Sequence, residues 1–182
     1  METVSKNIHQ EIIEQCRAGN RKAQFQLYER YYRGMYNISL RLTGNEKDAE
    51  DIMQEAFLSA FHKIGTYKGE ASFGSWLKSI VINRSLDHLK KKKVEFVPVN
   101  ERNMDMEDES WESEALKVEE VKKAISRLPD GYRTVLSLYV FEGYDHGKIS
   151  KALGITNSAS RTQYLRAKLR LKEILSGNKD IF

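Results

Sequence analysis

Apolar residues recur at helical spacing along most of the chain, and the breaks fall at turn-forming residues. Ile8, Ile12, Ile13 and Cys16 share one face of a first predicted helix, from about residue 7 to residue 18. Gly19 and Asn20 then supply a C-terminal glycine and a cap for the next helix. That second helix runs to about Leu42, with Phe25, Tyr28, Tyr32, Met35, Ile38 and Leu42 roughly on one side. Thr43-Gly44-Asn45 makes a turn, and a third helix follows from Glu46 to about Ile64 with the stripe Ile52, Ala56, Phe57, Ala60, Phe61 and Ile64. A loop over 66–72 leads into a long helix from Phe73 through Lys93, whose buried face is Trp76, Leu77, Ile80 and Val81.

The pattern fails over 94–118, where NERNMDMEDESWES is acidic and poor in aliphatic residues, as in a flexible linker. Trp111 is its one large apolar residue, free to dock elsewhere. Helical spacing resumes near Val118 with Val121, Ala124, Ile125 and Leu128, closed by Pro129-Asp130-Gly131. Three more helices follow: 132–141; 145–153 with Asp145 as cap and Gly154 past its end; and one capped by Thr156 that runs to about Leu175. There are no internal repeats and no convincing strand alternation. The expected fold is therefore all-α: two small helical domains, 1–93 and 119–182, joined by an acidic linker over 94–118, the second a four-helix domain.

Charge follows the same division. Residues 1–93 carry 16 Lys+Arg against 11 Asp+Glu, residues 94–120 carry 2 against 10, and residues 121–182 carry 12 against 5. Two basic blocks flank an acidic one, as expected of two modules near phosphate, although many basic domains touch no nucleic acid. The longest apolar run falls far short of the roughly 20 residues that cross a bilayer, and no signal peptide is evident at the start. A lone Cys16 cannot form an internal disulfide and reads as a small core residue in a reducing, cytoplasmic setting.

Residues 144–175 have the form of a helix-turn-helix: DHGKISKALG, a tight Gly154-Ile155-Thr156 turn, and the basic helix NSASRTQYLRAKLRLKEIL. Ser160, Tyr164, Ala167 and Leu171 should face inward, leaving Arg161, Thr162, Leu165 and Arg166 on the opposite face, where arginine can pair with guanine. A solvated basic helix would look the same. On the third helix Asp48, Asp51, Gln54, Glu55, Leu58 and His62 lie away from the apolar stripe, a strip suited to a basic protein partner or simply a charged outer face. The run from Lys90 to Lys93 either contacts phosphate or closes a helix end with cations its dipole favours. The four histidines are scattered, and there is no HExxH, Walker loop or GxSxG motif, so no catalytic residue, metal or cofactor is predicted. Asp48, Asp51 and Glu55 could bind Mg²⁺ only by an unspecific spacing.

These residues resemble the extracytoplasmic-function (ECF) group of RNA polymerase sigma factors. DAEDIMQEAFLSAF (48–61) looks like that group's core-polymerase-binding helix. YKGEASFGSWLKSIVINRSLDHLKKK is similar to its −10 recognition region, with the Phe73, Trp76, Leu77, Asn83 and Asp87 positions in register. EGYDHGKISKALGITNSASRTQYLRAKLRL (142–171) looks like its −35-binding helix-turn-helix. The resemblance implies that Asp48, Asp51, Gln54, Glu55 and Leu58 bind polymerase core at the clamp helices of its largest subunit. A second contact is implied at the flap of the second-largest subunit. It further implies −10 contacts from Tyr67, Lys68, Gly69, Glu70, Ser72, Asn83, Arg84, Lys90 and Lys91, with Asn83 as a buried amide that holds a base-receiving loop, unless it merely caps that loop. The implied −35 contacts are Ser158, Arg161, Thr162, Leu165 and Arg166.

The implied partners are polymerase core, promoter DNA and an anti-sigma factor, with no small-molecule substrate, no membrane insertion of the chain and no enzyme activity in it. Three residues depart from the family pattern. Gly147 replaces a usual Glu at about 1 kcal/mol for glycine inside a helix. Ser160 replaces a core Val and so should loosen the packing, and Gln163 stands where a basic residue is common. Two other readings compete: a stand-alone helix-turn-helix regulator, which leaves the acidic strip and residues 67–93 unused, and a helical adaptor that binds only proteins.

Overall fold

A computed structural model describes residues 9–94 and 118–177. The start of the first predicted helix with Ile8, most of the acidic linker with Trp111, and residues 178–182 lie outside the described residues. The fold is all-α: eight α-helices and one 3₁₀ turn, with no strand among the described residues. The chain divides into two compact units, Met1–His88 and Leu89–Phe182.

In the first unit α1 (Gln10–Arg17) precedes α2 (Arg21–Thr43), α3 (Glu46–His62), a 3₁₀ turn (Ile64–Thr66) and α4 (Phe73–Lys91), whose last three residues lie past the unit boundary. Asn20 caps α2 by accepting from the backbone N–H groups of Lys22 (2.9 Å) and Ala23 (3.2 Å). Gly44 ends it in the left-handed conformation at φ 66°, which glycine adopts without a Cβ clash. The extensive α2–α3 pair is seamed by small residues on α3: Ala49, Ala56 and Ala60 are fully buried, opposite a line that includes Leu27, Met35, Ile38 and Leu42 of α2. Phe25, expected on that line, is instead 59% exposed. It stands two residues before Leu27, about 200° around the helix, so the inward line starts at Ala23 and excludes it. On α4, Leu77 and Val81 are buried as expected, Trp76 and Ile80 only partly, and Ile82, Ser85 and Leu86 join the core. That helix stops at Lys91, because Lys93 turns left-handed (φ 53°) and the Val94 N–H donates back to the Leu89 carbonyl at 3.2 Å. Cys16 is buried, which pushes its thiol up to about 11 and leaves it an unreactive core residue.

In the second unit α5 (Val118–Ser126), α6 (Asp130–Val140) and α8 (Asn157–Leu175) share a core of Ala124, Ile125, Leu128, Leu136, Ala167 and Leu171, while α7 (His146–Leu153) buries Ile149 and Leu153. Buried Arg133 fastens the α5–α6 turn: its Nη1 donates to the Leu128 carbonyl (2.9 Å) and its Nη2 to Asp130 Oδ1 (2.6 Å). The predicted caps are in place. Asp145 accepts from the Lys148 N–H at 2.6 Å, Thr156 from the Ala159 N–H at 3.0 Å, and Gly154 is left-handed at φ 70°.

Two of the departures from the family pattern cost less than expected. Gly147 is only the second residue of α7, where fraying helices lose little by glycine, and a Cβ there would meet the capping Asp145 Oδ1 at 3.2 Å. Ser160 does not leave loose packing. It is fully buried and its Oγ lies 2.9 Å from His146 Nδ1, a hydrogen bond between α7 and α8 in place of a methyl contact. The His146 ring stacks on Tyr139 (4.7 Å, 21°) and meets Tyr164 edge-on (5.8 Å, 64°).

Burial, then the Arg161 guanidinium, lowers the His146 pKa from its ordinary 6.5, against a smaller opposing pull from Asp145. The unfolded chain therefore holds a proton on this ring at pH values where the folded one does not. Stability is greatest above the unfolded value and declines as pH falls through it toward the folded one. Between about pH 7.5 and about pH 5.5 the urea midpoint should drop more for wild type than for His146→Phe, followed by far-UV circular dichroism. Equal drops would mean that this ring titrates alike in both states.

Candidate functional site

On α3 the outward strip is built by spacing alone. Asp51, Gln54, Glu55 and Leu58 are all exposed, three, four and seven positions apart, while Ile52, Met53, Ala56 and Phe57 are buried behind them. Leu58 is 70% exposed, an apolar side chain amid acids. The strip is not electrostatically free. Glu55 Oε2 accepts from Arg84 Nη1 at 2.8 Å, and half-buried Asp48 lies 3.2 Å from His88 Nε2. These contacts run in opposite directions along α3 and α4, so they pin the two helices antiparallel. Asp51 has no ion pair among the described residues, and Gln54 Nε2 donates only to Glu50 at 3.2 Å. Arg84 and Glu55, assigned by resemblance to different partners, are thus bonded to each other.

Loop 67–72 is rooted by aromatic packing. Tyr67 is 5% exposed; its ring is edge-on to Phe73 (5.6 Å) and close to Trp76 (5.3 Å), and its hydroxyl donates to the Ala71 carbonyl at 2.7 Å, closing the loop on itself. Tyr31 of α2 meets Phe73 at 5.5 Å and lies so close to Gly74 that a Cβ there would sit 2.9 Å from its Cε1. Gly69 (φ 77°) makes the bend, with Lys68 and Glu70 exposed beside it. Ser72 Oγ accepts from the Ser75 N–H at 3.2 Å, so it caps α4.

Two side chains are placed otherwise than expected. Tyr67 is buried at the root of the loop. Ser72, although it caps α4, is exposed. Asn83 is exposed, not buried, and holds nothing in the loop: it lies ten residues into α4, about 15 Å along the axis from Phe73. Lys90 and Lys91 are exposed at the far end of the same helix. Arg17, which no motif singled out, reaches from α1 to the start of the loop, where its Nη2 donates to the Tyr67 carbonyl and its Nε to that of Ile64 at 3.5 Å. Its only sequence signal was a cation in the last turn of a helix.

On α8 the inward line is Ser160, Gln163, Ala167 and Leu171. Gln163 is 1% exposed, so it faces the core and cannot stand in for a surface base; four residues before Ala167, it extends the inward row that Tyr164, only half-buried, was expected to fill. Ser158 and Arg161 are exposed, and Leu165 and Arg166 half-buried. Thr162 lies on the outward side, yet its hydroxyl is buried with no partner among the described residues, so it offers no hydrogen bond outward. Arg161 Nε donates to Asn157 Oδ1 at 3.0 Å, which steadies it against the first turn.

Among the described residues no group of three or more His, Cys, Asp or Glu is placed to hold a metal ion, and no helix is long and apolar enough to cross a membrane.

Known proteins share these stretches of sequence. The Sigma-70 region 2 family matches residues 27–94, the stretch with the α3 strip and the rooted loop, and the Sigma-70 region 4 family matches residues 118–171, the helix-turn-helix unit. The chain is 29% identical over 158 residues to the ECF RNA polymerase sigma factor SigM of Mycobacterium tuberculosis, covering 87% of this chain and 80% of that protein. It is 28% identical to SigM of Bacillus subtilis (82% and 93% covered) and 27% identical to SigW of the same organism (90% and 94%). Its fold is shared with the sigma factor RpoE of Bartonella quintana, solved in complex with the anti-sigma factor NepR, at a TM-score of 0.52 and 19% identity over 83% of this chain and 95% of that one. With both promoter-binding regions present in order, and full-length relatives of one kind, the chain belongs to the sigma-70 family of RNA polymerase sigma factors, in its extracytoplasmic-function group.

Proposed function

We propose that this sigma factor divides its work among three surfaces. The α3 strip of Asp51, Gln54, Glu55 and Leu58 docks on the basic clamp helices of polymerase core. The exposed part of loop 67–72 with α4 receives the −10 element, and the outward face of α8 reads the −35 element. The observation that carries this reading is that each matched family region presents an exposed, chemically suited surface on a well-rooted scaffold. Leu58 supplies apolar area where a clamp helix would cover it, and Asp51 a carboxylate for a partner cation. The chain itself makes and breaks no bonds; it lends specificity to the polymerase, and it works where polymerase does, in the cytoplasm. A flap contact belongs to the same reading, as does control by an anti-sigma factor, the kind of protein found in complex with RpoE of B. quintana. A stand-alone helix-turn-helix regulator would leave the α3 strip and the loop without use. Run-off transcription with this protein, polymerase core and a genomic promoter library tests the whole: no sigma-dependent transcript from any promoter would overturn it.

Two outcomes follow for single surfaces. Asp51→Arg places like charge against a basic partner, so association with core should slow and lose much of its salt dependence, with the fold intact by circular dichroism. Leu58→Ala should speed dissociation, weakening the complex by about tenfold. Core affinity unchanged in the double variant, measured at low salt, would remove α3 from the interface.

On α8, Arg161 and Arg166 stand five positions apart, about 140° around the helix, flanking the outward face. At least one should read a guanine of the −35 element. Losing a bidentate guanine contact should cost roughly 1–3 kcal/mol and relax preference at one base pair. Losing a phosphate contact should weaken all sites alike and lower the salt slope by about one unit. Selection from a randomised −35 pool with Arg161→Ala and Arg166→Ala separates these, and base preferences identical to wild type in both variants would show that neither arginine specifies sequence.

A further inference from the structure

The Tyr67 carbonyl sits where the chain leaves a 3₁₀ turn and becomes extended (φ −70°, ψ 112°), just before the left-handed Gly69. Carbonyls at the end of such a turn lack the intrahelical partner they would have further back. Arg17 supplies one. Its planar guanidinium donates from Nη2 to Tyr67 O and from Nε to Ile64 O, while Nη1 is steadied by Glu14 Oε1 at 2.7 Å. The helix that carries it is itself anchored through buried Ile13 and Cys16. Tyr67 is therefore held at three points, by its ring against Phe73 and Trp76, by its hydroxyl on Ala71 O and by its carbonyl on Arg17. What remains exposed at the bend is Lys68 and Glu70, with Gly69 partly so.

We propose that Arg17 is a positioning residue for −10 recognition: from the end of α1 it fixes the backbone entering loop 67–72, so that the loop is already shaped when an unstacked base arrives. This rests on the reading of that loop as the base-receiving element. Unstacking a base costs a few kcal/mol, and a loop that must also be ordered on binding adds to that cost. Lysine at this position could reach one carbonyl but not bridge two, since an ammonium is a point charge without the fork. Arg17 lies outside the α3 strip, so the proposed effect is on DNA and not on core binding.

The test uses the full-length protein with two readouts. The first is hydrogen exchange. In Arg17→Ala the Thr66 and Tyr67 amides, which donate to Lys63 O (2.8 Å) and Ile64 O (3.2 Å), should exchange about tenfold faster while α2 and α3 are unchanged, the order expected for losing a partly exposed charge-assisted bond. The second is selection from a randomised −10 pool by holoenzyme reconstituted with the variant. Preference should flatten for Arg17→Ala, return in part for Arg17→Lys, and leave core affinity at the wild-type value. Glu70→Ala is the control for the loop itself. If Glu70→Ala shifts the −10 preference and Arg17→Ala does not, the loop reads DNA without help from Arg17 and the proposal fails. If neither variant shifts it, the reading of the loop fails and the proposal with it. Loop exchange unchanged by Arg17→Ala would also overturn it. Should Arg17→Ala not fold, Arg17→Lys carries the same comparison, and wild-type exchange and preference in it would mean that the two-carbonyl bridge is not needed.

Discussion

The first unit depends on one packing constraint: the aromatic cluster at the start of α4. Phe73 is buried between Tyr31 of α2, Tyr67 of the loop and Trp76 one turn on, and Gly74 lets the Tyr31 ring come closer than any Cβ would permit. A six-residue loop has no ladder of hydrogen bonds to hold it, so rings must hold it instead. Aromatic pairs of this kind favour edge-on and tilted contacts, which fix orientation as well as distance. Without the cluster, Gly69 would bend a floppy segment. With it, the same glycine presents two charged side chains in a set direction.

The second unit solves the matching problem with polar groups. Its recognition helix rests on α7 through His146 and Ser160, on buried Gln163, and on small Ala167 at the crossing. An apolar residue in place of Ser160 would pack but would leave His146 Nδ1 without this partner. The serine and the histidine are best understood together, each justified by the other, which is why the serine taken singly reads as a loss. The buried Arg133 works in the same way at the α5–α6 turn, where it satisfies a carbonyl that helix geometry leaves open.

Helix number, order, caps and turn glycines were legible in the sequence because they depend on neighbours within four positions. Asn20, Asp145 and Thr156 cap their helices as their residue types predict, and Gly44 and Gly154 end them. The α3 strip was legible for the same reason, since a 3.6-residue period assigns faces. The errors arose where a side chain's role is set by residues distant in sequence. The Arg17 bonds span 47 and 50 positions, the Arg84–Glu55 bond spans 29, and the His146–Ser160 bond spans 14. Asn83 and Tyr67 differ from expectation in burial alone: Asn83 is exposed where a buried amide was expected, and Tyr67 is buried. Their assignment came from resemblance, which conveys that a position matters but not whether its side chain is buried or exposed.

The α3–α4 contacts bear on how strongly each acid of the strip can act. A partner cation that approaches Glu55 competes with Arg84, already 2.8 Å from the carboxylate, so the exchange of one guanidinium for another cation gains little. Asp48 has His88 Nε2 as a neighbour at 3.2 Å. Asp51 stands between them without an ion pair among the described residues, on the same exposed face as Leu58. Of the three acids on the strip, one is an unengaged carboxylate beside one exposed apolar side chain, and the flanking two contact α4. In the proposed docking mode the binding energy concentrates on Asp51 and Leu58, and Asp48 and Glu55 act by holding α4, and with it the −10 loop, in place.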